Sequence, residues 1–179
     1  LTWSAGTMSG SGTTNANGGI DLNGAPAHDL TTGRTLSVSG TTTSTGSGPV
    51  RIGSAASIVN NGTWDCQSSS AIAQLGSAGP FTNGATGVFR KSAGTATSVD
   101  VPFVNAGAVD ALASTLQFSG GYTQISGSTT QSGGTFTSNS PLDIQAGTLT
   151  GVGTATGGVI NAGHAVPGLS IGTLTLSGN

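Results

Sequence analysis

Ile58-Val59-Asn60-Asn61-Gly62 is a clear copy of the short sequence pattern that decides the fold of this chain. The pattern is an apolar residue, any residue, an asparagine, and then a glycine within two positions. Three of its asparagines, at positions 60, 83 and 105, are 23 and 22 residues apart. Recurrence at nearly constant spacing predicts a repeat protein in which each unit is one coil. The other copies are Phe81-Thr82-Asn83-Gly84, Phe103-Val104-Asn105-Ala106-Gly107 and Val159-Ile160-Asn161-Ala162-Gly163.

Looser copies of the pattern fill the remaining length and give units of 16 to 23 residues. Between the units, short runs such as Gly134-Thr135-Phe136-Thr137-Ser138 alternate apolar and small polar residues, which is the period of a β-strand. Glycine, asparagine and serine interrupt these runs and supply the conformations that tight corners need. The looser copies are Leu36-Ser37-Val38-Ser39-Gly40, Tyr122-Thr123-Gln124 and Leu142-Asp143-Ile144-Gln145-Ala146-Gly147.

These patterns predict an all-β fold, a right-handed parallel β-solenoid of about eight coils, forming a rod roughly 40 Å long at ~4.8 Å per coil. An antiparallel β-sandwich is the alternative, because it also consists of short strands separated by turns. We expect one domain over residues 1–179, with residues 1–33 as an N-terminal cap or irregular coils, and a longer parent protein. The predicted inward positions are Ile58, Phe81, Val88, Phe103, Val109, Leu116, Phe118, Leu149, Val159 and Leu174.

Composition excludes several classes of protein. Only 6% of the residues are charged, the net charge is −2, and the four basic residues are Arg34, Arg51, Arg90 and Lys91, so no nucleic-acid surface is expected. Glutamate is absent and glycine numbers 32, so we expect almost no helix. No apolar stretch is long enough for a transmembrane helix. The single cysteine, Cys66, gives neither an internal disulfide nor a zinc motif.

The last third of the chain, from Tyr122 to Asn179, resembles the repeats of autotransporter passengers and similar large bacterial surface proteins. The preceding stretch, FRKSAGTATSVDVPFVNAGAVDALASTLQFSGG, is similar to the same repeats. The resemblance covers residues 58–179 well and residues 1–57 loosely, and its motifs consist of common residues. It implies a β-solenoid displayed outside the cell or on its surface, and it implies no particular ligand.

One group of residues has the composition of a polysaccharide lyase or hydrolase site. Such enzymes on solenoid folds use aspartates with a basic residue on one face, and here Asp100 or Asp110 with Arg90 and Lys91 is the matching set. The alternative, which we favour, is that these charges lie at corners, where they bind nearby backbone and keep the rod soluble. No enzyme activity, cofactor or metal is expected.

Three other polar patterns have simpler explanations. His28 and His164 are far apart and lack a nucleophile motif, so both are predicted to be exposed loop histidines. Asp21-Leu22-Asn23-Gly24 begins like a calcium loop but lacks the later ligands, so a turn is expected. The recurring asparagines either form a side-chain ladder from coil to coil or each occupy a left-handed corner.

Surface residues suggest two binding functions. Trp3, Trp64 and Tyr122, if exposed, would stack on sugar rings and make a carbohydrate-binding face. Five Thr-x-Thr pairs would order water or ice on one flat face, but their separations of 40, 13, 6 and 19 residues do not match one coil period. The pairs are Thr95/Thr97, Thr135/Thr137, Thr148/Thr150, Thr154/Thr156 and Thr173/Thr175.

The sequence therefore favours a structural stalk or an adhesive segment of a secreted or cell-surface bacterial protein. Its partners would be surface glycans or further solenoid repeats of the parent protein. Carbohydrate binding is the first alternative, and a lyase-like enzyme and an ice-binding solenoid are the further ones. A fold of this kind assigns no function by itself, so this expectation rests on the resemblance and on the lack of a catalytic motif.

Overall fold

The computed structural model describes residues 1–168 and 172–178, which contain 24 β-strands. Among these residues none is helical, and there is therefore no helix that could cross a membrane. Every described pair of neighbouring strands is parallel and comes from successive coils, so the chain winds into a β-solenoid with about eight coils. The all-β solenoid predicted from the sequence is confirmed, and the antiparallel sandwich is wrong. The right-handed sense of winding stays a prediction.

Each coil contributes one strand to each of three faces, which we call faces 1, 2 and 3 in the order in which the chain visits them. The strands of face 1 are β1 (Gly6–Met8), β4 (His28–Leu30), β7 (Val50–Gly53), β10 (Ile72–Leu75), β13 (Thr97–Val99), β16 (Thr115–Phe118), β19 (Thr135–Ser138), the second half of β21 (Thr148–Thr156) and β24 (Leu174–Ser177).

Faces 2 and 3 follow in the same order along the chain. Face 2 consists of β2 (Thr13–Ala16), β5 (Thr35–Val38), β8 (Ser57–Asn60), β11 (Phe81–Asn83), β14 (Phe103–Asn105), β17 (Tyr122–Gln124), β20 (Leu142–Ile144) and β22 (Val159–Asn161). Face 3 consists of β3 (Asp21–Leu22), β6 (Thr41–Ser44), β9 (Thr63–Cys66), β12 (Val88–Lys91), β15 (Ala108–Ala111), β18 (Ser128–Ser132), the first half of β21 and β23 (His164–Pro167).

Residues 1–33 follow the same three-face pattern. They carry β1 to β4, and β2 pairs with β5 in register, with Thr13 beside Thr35. Residues 1–3 lie beside β3, where Thr2 makes a parallel bridge to Asp21. The first turn of the solenoid is therefore built like the later ones.

The interior is a stack of apolar side chains, one layer per coil. On face 2, Phe81 stacks on Phe103 with ring centroids 5.1 Å apart, and Phe103 stacks on Tyr122 at 5.6 Å. Seven of the ten predicted inward residues are buried, and Val159 and Leu174 pack against this core while remaining partly exposed. A column of rings runs along the axis, because register partners from successive coils point to the same side of a sheet.

Val88 is the one predicted inward residue that points outward. Its neighbour Phe89 is the buried residue of β12, because β12 pairs with β9 in the register that places Phe89 beside Trp64. A shift of one residue moves a side chain to the other face of a strand. The prediction for Val88 was therefore wrong by a single position.

Candidate functional site

The charged residues singled out as a possible enzyme site are divided between face 3 and face 1 and do not form one constellation. Arg90 and Asp110 are register partners on adjacent strands, and the Arg90 Nη2 atom donates to Asp65 Oδ2 at 2.8 Å. Asp100 follows β13 on face 1, and its carboxylate accepts a hydrogen bond from Ser98 Oγ. Asp65, not Asp100, is therefore the acid nearest to the arginine.

Asp65 is almost fully buried and its carboxylate is already satisfied. It accepts hydrogen bonds from Arg90, from Gln67 Nε2 at 2.9 Å and from Ser92 Oγ at 2.5 Å. Burial alone raises the pKa of this carboxyl, but the three hydrogen bonds and the charge of Arg90 outweigh it and lower the pKa. An ionised carboxylate with all these donors is a structural anchor and has no proton to donate near neutral pH.

Lys91 points into the core and away from the acids on the surface. It has no solvent exposure, its Nζ atom donates to the carbonyl oxygen of Ser68, and its register partner is Cys66. Desolvation lowers the pKa of the Lys91 ammonium and raises the pKa of the Cys66 thiol to about 12. Neither group meets solvent or substrate, and the thiol stays protonated and unreactive.

The remaining charges are mostly paired from coil to coil. Arg51 binds Asp29 through two parallel hydrogen bonds, Nε to Oδ1 at 2.6 Å and Nη2 to Oδ2 at 2.7 Å, across adjacent strands of face 1. Asp110 is partly buried, and desolvation raises its pKa. The expectation that such charges lie at corners is wrong for Asp29, Arg51 and Asp110, which all lie within strands.

Two clefts on the described surface are large enough to admit a small ligand. One, of about 430 Å³, lies near the first coil, and among its lining residues Asp21 has the only charged side chain. The other, of about 440 Å³, lies beside Thr130, Gln131 and Thr150 and has no ionisable lining residue. Neither cleft holds the paired acid and base that glycoside cleavage requires. Among the described residues, no three His, Cys or Asp side chains are grouped to hold a metal ion.

The aromatic residues proposed for sugar stacking are not on the surface. Trp3, Trp64 and Tyr122 are 5%, 1% and 2% exposed and belong to the core. The prediction that they are exposed is wrong because a chain with 4% aromatic residues needs them to fill its layers. The buried hydroxyl of Tyr122 bonds Thr129 inside the solenoid, and burial raises its pKa.

The two histidines occupy different environments. His28 is fully buried in β4, so the prediction of an exposed loop residue is wrong for it, while His164 is exposed but lies in β23. The suspected start of a calcium loop is a short local contact in which Asn23 Nδ2 donates to Asp21 Oδ2 at 2.7 Å. Asp21 therefore has a neutral partner from its own loop.

The recurring asparagines form a buried ladder along face 2. Asn60 Nδ2 donates to Asn83 Oδ1 at 2.8 Å, Asn83 Nδ2 donates to Asn105 Oδ1 at 2.9 Å, and Asn105 Nδ2 lies 3.4 Å from Gln124 Oε1. All four side chains have no solvent exposure. The ladder interpretation is confirmed for these positions. Asn161 lies in the same column but is exposed, and its Oδ1 atom accepts a hydrogen bond from the Gly163 amide of its own corner.

Each ladder amide also ties a corner to the next coil. The Nδ2 atoms of Asn60, Asn83 and Asn105 donate to carbonyl oxygens of Val88, Ala108 and Ser128 at 2.9 to 3.2 Å. These acceptors are the first residues of face-3 strands one coil further on. The ladder therefore fixes the register of faces 2 and 3 together.

The Thr-x-Thr pairs divide between two faces. Thr135/Thr137 and Thr154/Thr156 lie in register on face 1, where Thr137 pairs with Thr156, and Thr154 pairs in turn with Thr175 of β24. Thr148 and Thr150 lie on face 3, and Thr97 points into the core. The expectation that no coil register unites the pairs is wrong for the set on face 1.

Comparison with protein-family models, with curated proteins and with solved structures gives no match to this chain.

Proposed function

We propose that this chain is a structural stalk or adhesive segment of a secreted or cell-surface bacterial protein, with no chemistry of its own. The observation that supports a stalk is the coil-to-coil bonding, both in the interior and on the outside of the strands. The amide ladder, the ring stack of Phe81 and Phe103 and the Asp29–Arg51 pair all run along the solenoid axis. Bonds in this direction resist separation of the coils, which is the load a stalk carries.

The stalk proposal is tested by pulling the chain between its two ends in an optical trap. A stalk keeps its length until coils peel away in discrete steps, and the coils with the ladder, from β8 to β17, detach last. Asn83→Val lowers the force of that last step, whereas Asn161→Val, at the exposed end of the same column, does not. Continuous extension at low force, with no steps, contradicts a load-bearing role.

An adhesive role is distinguished by a glycan array read with the whole chain. The buried position of the three aromatic rings removes the surface on which the glycan hypothesis rested, so the stalk proposal expects no sugar ligand. Saturable binding to a defined glycan on the array would favour the adhesive alternative over the passive stalk.

A second candidate is a water-ordering or ice-binding face, and the register of the threonines on face 1 favours it. Hydroxyl-bearing rungs occupy consecutive coils at Thr135/Thr137, Thr154/Thr156 and Thr175/Ser177. Strand geometry spaces such side chains about 4.8 Å along the axis and about 6.6 Å along each strand. A flat, regular array of methyl and hydroxyl groups presents a repeating surface to water.

The second candidate is tested by ice recrystallisation with two single variants. Thr156→Lys places a charged side chain in the centre of the face-1 array, and Thr130→Lys makes the same change on face 3. Inhibition by the parent chain that is lost in the first variant and kept in the second supports the candidate. Absence of inhibition by the parent chain at high micromolar concentration eliminates it.

A further inference from the structure

The corner between β8 and β9 contains the tripeptide Asn61-Gly62-Thr63. An asparagine, any residue except proline, and then serine or threonine is the acceptor pattern for N-linked glycans. The sequence has ten asparagines, and Asn61 is the one with a serine or threonine two positions later. Serine and threonine are common in this chain, so the pattern gains weight from where the fold places its side chains.

Both side chains that the pattern requires are on the outside of the solenoid. Asn61 is exposed, whereas the preceding Asn60 is fully buried in the amide ladder. Thr63 is the first residue of β9 and points outward, because the next residue, Trp64, points into the core. Among the described residues, neither the Asn61 side-chain amide nor the Thr63 hydroxyl has a hydrogen-bond partner. Both groups are therefore free to meet another molecule.

The corners of the neighbouring coils leave space around Asn61. In the next coil the corresponding residue is Gly84, and a Cβ there would lie 2.0 Å from Asn61 Oδ1. The side-chain amide thus occupies room that a glycine provides. Ala85 beside it is small and exposed, and Ser39 and Gly40 form the same corner of the preceding coil. No charged or bulky side chain belongs to these corners, so a large group on Asn61 can extend into solvent.

We propose that Asn61 is the acceptor of an N-linked glycan. The donor is an oligosaccharide carried on a polyprenyl diphosphate. Asn61 Nδ2 forms a bond to C1 of the first sugar, the C1–O bond to phosphate breaks, the polyprenyl diphosphate leaves with that electron pair, and one Nδ2 proton is released. The Thr63 hydroxyl marks this asparagine for the transferase. The proposal rests on the proposed function, because a chain displayed outside the cell crosses the membrane that holds such donors.

The backbone of the tripeptide indicates when the sugar is added. Asn61 N donates to Val38 O at 2.8 Å, and Thr63 N donates to Gly40 O at 3.0 Å. Asn61 O accepts a hydrogen bond from Thr86 Oγ1 at 2.8 Å. Because the folded corner is bonded to the coils on both sides, we expect transfer before this coil closes. The glycan then extends between faces 2 and 3 and leaves the threonine rungs of face 1 uncovered.

The acceptor site is tested by translating the full chain behind a cleavable signal peptide, with microsomes that hold the lipid-linked donor and modify a reference acceptor. The expected product is larger than the unmodified chain by one oligosaccharide, and peptide N-glycosidase removes the difference. Asn61→Gln and Thr63→Ala abolish the shift, whereas Thr63→Ser keeps it. Asn17→Gln, which changes another exposed corner asparagine, also keeps it.

A second sequon, one coil further on, tests whether the outward position matters. Ala85→Thr in the Asn61→Gln background creates an acceptor at Asn83, which is fully buried in the ladder. A glycan at Asn83 has no room in the core, so the modified chain is degraded by a nonspecific protease. The chain modified at Asn61 resists the protease as well as the unmodified chain does.

Two results overturn the proposal. One is a full chain that receives no oligosaccharide at Asn61 in microsomes that modify the reference acceptor. The other is a chain that loses its protease resistance when Asn61 is modified, because the glycan would then not lie outside the fold. Either result leaves the stalk proposal standing, since the stepwise detachment of coils in the optical trap requires no glycan.

Discussion

Replacing the central rung of the amide ladder, Asn83→Val, is expected to destabilise the solenoid by about 2–3 kcal/mol. Asn83 accepts one hydrogen bond from Asn60 and donates to Asn105 and to the carbonyl of Ala108. Each buried hydrogen bond contributes about 1 kcal/mol, and burial of the larger apolar side chain offsets part of the loss. Valine suits the column sterically because Val38 already occupies it two strands earlier on face 2.

The assay is equilibrium unfolding in urea, with a control from the same column. Asn161→Val, at the exposed end of the ladder column, is expected to change the free energy of unfolding by less than about 0.5 kcal/mol. The double variant Asn83→Val/Asn105→Val is expected to cost clearly less than the two single costs added together. Each single variant loses the Asn83–Asn105 bond, but the double variant loses this bond only once and leaves neither of its two ends unpaired.

Two results would refute this reasoning. If Asn83→Val unfolds at the same urea concentration as the parent chain, then the ladder contributes nothing net to stability and its role is limited to register. If the two single costs add without coupling, the side-chain bond between Asn83 and Asn105 contributes nothing measurable. Val38→Asn provides the converse test, because it supplies a donor to Asn60 Oδ1, which has none, and is expected to recover part of its own desolvation cost.

Three further predictions concern charge, core and corners. Asp65→Asn is expected to lower the free energy of unfolding by about 2–4 kcal/mol at pH 7. This loss relative to the parent chain should disappear as the pH falls below about 4, because a carboxyl whose pKa is lowered in the folded state stabilises the fold only while it is ionised. Unfolding in urea at pH 7, 4 and 2.5 measures both effects. In the same urea assay, Phe103→Ala is expected to lower the free energy of unfolding by about 3–5 kcal/mol, and Val104→Ala, at an outward position, by less than about 1 kcal/mol. Equal losses would contradict the assignment of Phe103 to the core. Gly62→Ala places a Cβ 2.1 Å from a backbone carbonyl of the preceding coil and should lower the melting temperature by circular dichroism, whereas Gly18→Ala, with no atom within 4 Å, should not.

The sequence pattern was sufficient to predict the coils but not the orientation of every strand. The asparagine pattern aligned Ile58, Phe81 and Phe103 correctly, because a buried amide and its apolar neighbour two residues earlier must keep the same register in every coil. In β12 the adjacent apolar residues Val88 and Phe89 each satisfy a period of two, so the sequence alone does not choose between them. The pairing of Phe89 with Trp64 shows that Phe89 is the inward residue.

The charged residues were harder to interpret because their partners depend on coil length. Arg51 and Asp29 are 22 residues apart, one coil in the regular part of the chain, so their pairing was available from the spacing of the repeat. Asp65 and Arg90 are 25 residues apart and still pair, because the chain between them is longer by three residues than a regular coil. The pattern of apolar residues does not give the length of each corner. The sequence analysis therefore grouped Arg90 with Asp100 or Asp110, whereas in the structure Arg90 donates to Asp65.

Variable coil length also hid the alignment of the threonine pairs on face 1. Judged by sequence separation, Thr135/Thr137, Thr148/Thr150 and Thr154/Thr156 are spaced irregularly, and an ordered array was not expected. In the solenoid the middle pair belongs to face 3 and the outer pairs to face 1, where Thr137 and Thr156 are direct neighbours. Distances along a coiled chain mix residues from three faces, so a surface array becomes visible only after each strand is assigned to its face. If the Thr156→Lys and Thr130→Lys variants behave alike in ice recrystallisation, face assignment has no bearing on that activity.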